Sequence, residues 1–401
     1  MVTIMNKEYK KNIGSQVCSQ GVWDSTIPGI EFDENGVSNY AKMQRNLEAA
    51  FQRGEKGKKE WVKIVEKIKS TRQNTQYDCI IGVSGGTDSS YLLHLAKEFG
   101  LNPLAVHLDN GWGSDISMQN IKKVTSKLGI DLETYVINYE EVKDLFLCYM
   151  KASLPWIDNP TDLAIKASLY KIASKENIKY IFRGNDFRSE GKQPVEWTYS
   201  DGKQLNYLHS KFGTTKLNTF PNLTLTNLVY YEFIKKIKSI RPFYYLEYKK
   251  NEAQEFLKKE YNWEYYGGHH YENIFTKFAV SYWLPEKFGI DKRKITLSAQ
   301  VMSGEITKEE ALKIISSKPY NDEKIDEMIE FLIRKLDISR NEFDEIWQSE
   351  NKNFTDYPSY YPMIEKYHKA AGKILSKLFV NKPMFLFEKE MRSESKETKS
   401  E

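Results

Sequence analysis

The chain has 401 residues, 40% of them apolar, which is enough for two or three units with their own cores. Its 59 basic and 55 acidic residues leave a formal charge of +4, too mild a surplus to demand a nucleic-acid partner, and its three scattered cysteines, Cys18, Cys79 and Cys148, exclude a disulfide framework. The opening MVTIMNKEYKKN lacks the apolar stretch of a signal peptide, and no apolar run approaches the ~20 residues of a membrane span, so no span is expected and the cytoplasm is the expected location.

Up to about Tyr40 the sequence is mixed and turn-rich (IPGIEFDENG). A basic segment from about Ala41 to Ser70, with Trp61, Val62, Ile64, Val65 and Ile68 on one face, reads as an amphipathic helix leaning on the next unit. From Tyr77 strands and helices alternate. DCIIGV (78–83) is a buried strand, SSYLLHLAKEFG (89–100) a helix stopped by Gly100, and PLAVHLD (103–109) a second strand. A helix over 116–128, a strand over 132–138, a helix begun by Asn159-Pro160 and a strand over 179–185 follow. This alternation predicts an α/β fold with a doubly wound, mostly parallel sheet, whose ligands sit at the carboxyl ends of its strands. Beyond about Ile240 the chain reads as helical: 251–261, 271–284, 292–302, and a helix opened by the capping box of Thr307 and Glu310. The charged end, EKEMRSESKETKSE, lacks apolar anchors and reads as disordered.

Ser84-Gly85-Gly86-Thr87-Asp88-Ser89 lies between the first strand and its helix. Two glycines let the backbone approach an anion closely, and successive N–H groups at a helix start form an anion nest. Asp88 alone would repel phosphate, so its expected role is to hold Mg²⁺ shared with phosphate oxygens. A Walker A loop needs Lys after its last Gly, and a dinucleotide fingerprint needs G-x-G-x-x-G; neither is here.

SGGTDS resembles the PP-loop of the ATP-pyrophosphatases, which cradles the β,γ-pyrophosphate of ATP while a substrate oxygen attacks the α-phosphate. This resemblance implies ATP and Mg²⁺ as cofactors, with Asp109 bordering the adenosine and Gly184 and Asn185 facing the α-phosphate. A wider likeness runs from about Cys18 to Ala311. It is carried by IPGIEFDENGVSNYA (27–41), the loop region 80–112, RGNDFRSEGKQPVEWTYSDGKQLNYLHSKFG (183–213), YYGGHHYENIFTKF (265–278) and LPEKFGIDKRKITLSAQVMSGEITKEEAL (from 284). Over these blocks the chain is similar to the N-acetyl sugar amidotransferases of bacterial surface-polysaccharide synthesis, including lipopolysaccharide.

That resemblance implies an enzyme that adenylates the acetamido oxygen of a nucleotide-linked N-acetyl sugar and replaces it with ammonia, releasing AMP and pyrophosphate. It also implies a separate glutaminase and a barrel-shaped ammonia-channelling subunit, since no Cys-His-Glu set surrounds any cysteine here. Glu190, His270 and Glu272 are then candidate catalytic groups, and Lys277, Lys292 and Arg293 candidates for neutralising phosphate. Many family members carry four zinc-binding cysteines near the start. The corresponding positions are Cys18, Gly21, Ser38 and Ala41, one thiolate of four, so structural zinc is not expected. Trp23, Ile30, Phe32 and Tyr40 are expected to pack the segment instead. The expected units are a degenerate knuckle and helix over 1–76, the PP-loop domain over 77–240, a helical substrate or partner region over 241–380, and a disordered tail over 381–401. The alternatives are a tRNA-modifying PP-loop enzyme, which would favour paired cysteines or a basic RNA-binding domain, and a non-catalytic scaffold.

Overall fold

The computed structural model describes residues 14–72, 75–268, 271–367 and Glu388. Five short strands form one parallel sheet in the order β3-β2-β1-β4-β5. They are β1 Cys79–Gly82, β2 Pro103–Asp109, β3 Leu132–Val136, β4 Tyr180–Phe182 and β5 Lys238–Ile240. β1 pairs with β2 through Ile80↔Leu104 and with β4 through Ile81↔Phe182. β2 and β3 therefore lie to one side of β1 and β4 and β5 to the other, and a crevice opens at the carboxyl end of β1, where the strand order reverses.

The helices before and between the strands are α1 Asn39–Ala50, α2 Gly54–Ser70, α3 Thr87–Glu98, α4 Asp115–Leu128, α5 Tyr139–Lys151, α6 Asn159–Lys175, α7 Phe187–Glu190, α8 Val195–Thr198, α9 Gly202–Phe212 and α10 Leu225–Val229. After β5 come α11 Lys250–Tyr261, α12 Ile274–Phe278, α13 Arg293–Met302, α14 Lys308–Ser316, α15 Asp322–Leu336 and α16 Arg340–Gln348. Alternation along β1 sorts the layers, because successive side chains of a strand face opposite ways. Cys79 and Ile81 join a core with Trp61 of α2, Leu92 of α3, Val124 of α4 and Leu257 of α11. Ile80 joins the opposite core with Leu169 and Ile172 of α6. A third core, with Phe146, Phe275, Trp283, Leu332 and Leu336, joins α5 to the C-terminal helices, and the rings of Phe146 and Phe275 stack 3.8 Å apart.

Several local readings need correction. The basic segment is two helices, not one. The chain turns at Gly54, with φ +71°, and Arg53 points inward, where its guanidinium meets Asp186 at 2.6 Å. The stretch read as one helix over 271–284 is the short α12 followed by a π-helical run, Ala279–Lys287, which accommodates Pro285. Asn159 is the first helical residue and Asp158 the cap, a shift of one position. β5, at the sheet edge, was not foreseen. The Gly100 stop, with φ +68°, and the Thr307/Glu310 capping box both form.

The N-terminal knuckle closes without a cage of thiolates. Cys18, Ser38 and Ala41 are fully buried, and the Ser38 amide donates to Cys18 Sγ at 3.3 Å. Trp23 and Tyr40 pack in one core with Phe187, Trp197 and Ile295, with Ile30 and Phe32 against it. α13 clamps this unit: Lys294 pairs with Asp24 at 2.6 Å, both buried, and Ser298 Oγ accepts the Val22 amide at 2.8 Å. The same helix grips α7, with Thr296 Oγ1 donating to the Glu190 carbonyl at 3.2 Å and Gln300 to the Ser189 carbonyl at 3.1 Å. The tail expected over 381–401 lies outside the described residues except for Glu388, which is buried and pairs with Lys192 at 2.7 Å.

Candidate functional site

The loop Ser84–Ser89 leaves β1 at the crevice and opens α3, whose N-cap is Gly86. Gly85 has φ +77°, and a Cβ there would lie 2.1 Å from the Ser117 carbonyl oxygen, so only glycine fits. The Gly85 carbonyl accepts from Trp263 Nε1 at 2.9 Å and Asn120 Nδ2 at 3.3 Å, which fixes the loop's backbone. Ser84 Oγ accepts the Gly86 amide at 3.3 Å, and Gln254 donates to Thr87 Oγ1 at 3.2 Å. Ser89 Oγ receives the Ser84 amide at 3.3 Å, closing the loop on itself.

Asp88 meets two groups that the sequence reading missed. Lys250 Nζ lies 3.3 Å from its Oδ2, and the Tyr248 hydroxyl donates to its Oδ1. Burial works against the charge on Lys250, but Asp88, Glu190 and Glu272 together hold its ammonium above the ordinary value. Burial and Asp88 push the Tyr248 phenol up, and burial, Glu272 and Asp88 do the same to Tyr266, so both rings remain neutral hydrogen-bonders. Gly184 backs directly onto Asp88, where a Cβ would stand 3.1 Å from the Asp88 backbone, while Asn185 is exposed.

Glu272 reaches the loop from the far side. Its Oε1 accepts from Ser84 Oγ at 3.4 Å, and its carbonyl accepts the Ser114 amide at 2.9 Å. An antiparallel bridge between Gly113 and Asn273 and the Ile274 amide on the Trp112 carbonyl, at 2.9 Å, fasten this segment beside the end of β2. Asp109, the last residue of β2, uses Oδ1 to accept the Gly111 amide at 2.9 Å. His270 lies outside the described residues.

Glu190, at the end of α7, is close enough to interact electrostatically with both Lys250 and Lys292. Lys292 stands 4.0 Å from the Trp156 ring centroid. Burial pushes its ammonium down to about 8, against the pull of Asp162, Glu190 and Asp158. Arg183 and Arg241 follow the paired strands β4 and β5, and the Arg183 amide donates to the Ile240 carbonyl at 2.9 Å. With Lys166 of α6 they form a basic group in which burial and mutual repulsion lower the pKa of Lys166 and Arg183. Neither arginine was singled out in the sequence, because Arg183 fell inside the strand read over 179–185 and Arg241 follows β5, which gave no pattern of its own. Arg293 stands apart: its guanidinium pairs with Asp291 at 2.7 Å and donates to the carbonyls of Ile314 and Ser317. Lys277 faces a neighbouring cavity.

Asp88 and Glu272 give the loop two hard oxygen donors, and among the described residues no group of three or more His, Cys, Asp or Glu forms a metal cage. Such a donor set fits Mg²⁺ held largely by phosphate oxygens rather than by the protein alone.

Residues 78–250 match the phosphoadenosine phosphosulfate reductase domain family, and residues 272–370 match the family described as LPS biosynthesis protein WbpG-like, C-terminal domain. The chain is a PP-loop protein with a WbpG-like C-terminal domain. The WbpG-like match begins at Glu272, the residue that touches Ser84. Among curated proteins, an uncharacterized protein of Methanocaldococcus jannaschii is 32% identical over 133 residues, 33% of this chain and 46% of that protein. A tRNA(Ile)-lysidine synthase of Chlamydia pneumoniae is 33% identical over 67 residues, 16% of this chain and 21% of that enzyme. Each alignment spans less than half of the relative's own length. An NH3-dependent NAD synthetase from Campylobacter jejuni, solved with nitrate, is 15% identical with a TM-score of 0.28, covering 67% of this chain and 96% of that one. Among the described residues no helix of the PP-loop and WbpG-like domains is long and apolar enough to cross a membrane.

Proposed function

We propose that this protein is an AMP-forming amidotransferase that converts the acetamido group of a nucleotide-linked N-acetyl sugar to an acetamidino group for surface-polysaccharide synthesis. The observation that carries this reading is the contact of Glu272, the first residue of the WbpG-like domain, with Ser84 of the PP-loop at 3.4 Å. The part of the chain that matches a lipopolysaccharide-synthesis family thereby forms one lip of a nucleotide loop.

In this reading the loop amides and Lys250 bind the β,γ-pyrophosphate of ATP, with Asp109 bordering the adenosine and Gly184 and Asn185 near the α-phosphate. Asp88 and Glu272 would hold Mg²⁺, which would neutralise charge on the phosphates. The acetamide oxygen attacks the α-phosphorus and pyrophosphate leaves, giving an O-adenylyl imidate. Ammonia adds to the imidate carbon, a proton is lost from nitrogen, and AMP departs as the C–O bond breaks. Arg183 and Arg241, which directly follow β4 and β5, and Lys166 would meet the charge that accumulates on the α-phosphate, and fixed charges aimed at a developing charge are strong contributors in a water-poor site. Glu190 orients the incoming nitrogen, and Lys292, whose ammonium is lowered to about 8 by burial, takes up its proton as the neutral amine. The ammonia comes from a separate glutaminase through a barrel-shaped subunit.

The test is pyrophosphate release from Mg-ATP with ammonium and a set of UDP- and CMP-linked N-acetyl sugars, with products weighed by mass spectrometry. Sugar-dependent AMP, with a product lighter by the difference between O and NH, is the expected result. Turnover with tRNA and with no sugar would replace this reading with the nucleic-acid branch. ATP binding with no turnover on any of them, even with a glutaminase present, would favour the scaffold.

A further inference from the structure

The proposed chemistry joins two large substrates, and the loop accounts for one. Beside it lies a cavity of about 680 Å³, within the range of small-molecule sites. Its near wall includes Tyr266, whose hydroxyl oxygen is also a neighbour of Gly86 in the loop, 3.1 Å from where a Cβ would stand. Its far wall comes from the WbpG-like domain, with Tyr320 before α15 and Phe331 on it.

Two properties of the lining select a class of ligand. Lys277, Lys318 and Lys324 line the cavity, and among the described residues no aspartate or glutamate does. Lys318 is already paired with Asp322 at 2.7 Å, which leaves Lys277, 4.9 Å from the Tyr271 ring centroid, and the exposed Lys324 to face a ligand. The remaining surface is largely aromatic and aliphatic. A flat ring and adjacent negative charge satisfy both features, the ring by stacking and the charge by the ammonium groups.

We propose that this cavity holds the nucleoside-diphosphate portion of the sugar acceptor. The base lies against the aromatic wall, the phosphates meet Lys277 and Lys324, and the N-acetyl sugar passes Tyr266 toward the loop. This proposal rests on the reading of the preceding subsection and adds the location and chemistry of the acceptor. The competing occupant is the adenosine of ATP.

The experiment titrates the full chain calorimetrically with UDP, GDP, dTDP and AMP, and measures KM for ATP and for whichever nucleotide sugar supports turnover. The variants are Lys277→Ala/Lys324→Ala, Phe331→Ala and, as an exposed control on another helix, Lys313→Ala, each checked for an unchanged melting profile. The expected result is nucleoside-diphosphate binding that weakens at least tenfold in the double variant and in Phe331→Ala, with a matching rise in KM for the sugar, no rise in KM for ATP, and no change in the control. A loss that falls on AMP binding and on KM for ATP assigns the cavity to adenosine and overturns the proposal. If no sugar supports turnover, the amidation reading fails while the diphosphate titration still decides the cavity. Binding lost in the double variant supports it; binding absent or indifferent to the variants refutes it.

Discussion

Replacing Lys292 by methionine should stabilise the free protein while removing its activity. Lys292 is enclosed beside Trp156, and burial lowers its ammonium from 10.5 to about 8 despite Asp162, Glu190 and Asp158. At about 1.4 kcal/mol per pH unit, that shift means the buried charge costs at most about 3 kcal/mol at neutral pH. Between about pH 8 and 10.5 the unfolded chain carries a proton on this lysine that the folded chain has lost. The lysine's contribution to stability is therefore present above 10.5 and disappears as pH falls through about 8. Methionine has similar reach, no charge and the flexibility to fill the same slot. Urea melts of both proteins at pH 7 and 9.5 should show the variant more stable at pH 7 by about 1–3 kcal/mol, with the gap narrowing as pH rises. Sugar-dependent turnover should be lost at either pH. A variant less stable at pH 7, or a gap that ignores pH, would refute the assignment of an ammonium whose burial outweighs its neighbouring carboxylates.

Three further outcomes follow from other contacts. Gly85→Ala forces a Cβ against the Ser117 carbonyl at positive φ, so it should cost about 2–4 kcal/mol and abolish ATP binding, read by melting and by nucleotide titration. Arg53→Ala leaves Asp186, whose carboxyl burial already raises to about 6, without its 2.6 Å partner. It should destabilise by about 3–5 kcal/mol at pH 7, and by less at pH 5, where Asp186 can be protonated, as judged from melts at the two pH values. Glu272→Gln keeps the shape of the lip but removes its charge, so it should lower turnover at least tenfold with little change in melting temperature, and should raise the Mg²⁺ concentration needed for half-maximal rate.

The loop and the first four strands were legible because their signals are local. β1 is a run of apolar residues, α3 ends at a glycine, and the two glycines of the loop sit between them. β5 is three residues with one buried side chain at the sheet edge, too short to give a period. The break between α1 and α2 was hidden because Arg53 counts as surface charge until Asp186, 133 positions away, draws it inward. Lys250 and Tyr248 escaped for the same reason, lying about 160 positions from the aspartate they hold. Glu190, Glu272 and Lys292 were singled out only through the resemblance, since no local pattern sets them apart. Arg293, chosen with them, is committed instead to Asp291 and two carbonyls.

α13 presents one side to the knuckle and another to α7, so the beginning of the chain and the crevice share a single strut. Lys292 immediately precedes that strut, and Glu190 hangs from it by its carbonyl. The geometry of the crevice is thus inherited from residues some 170 to 270 positions earlier, whose own interior relies on a thiol that accepts one amide and on packed rings. A segment so built cannot drift in sequence independently of α13 and the crevice. Exchanging it for a segment with a differently packed interior would reset the crevice geometry unless α13 were carried across with it.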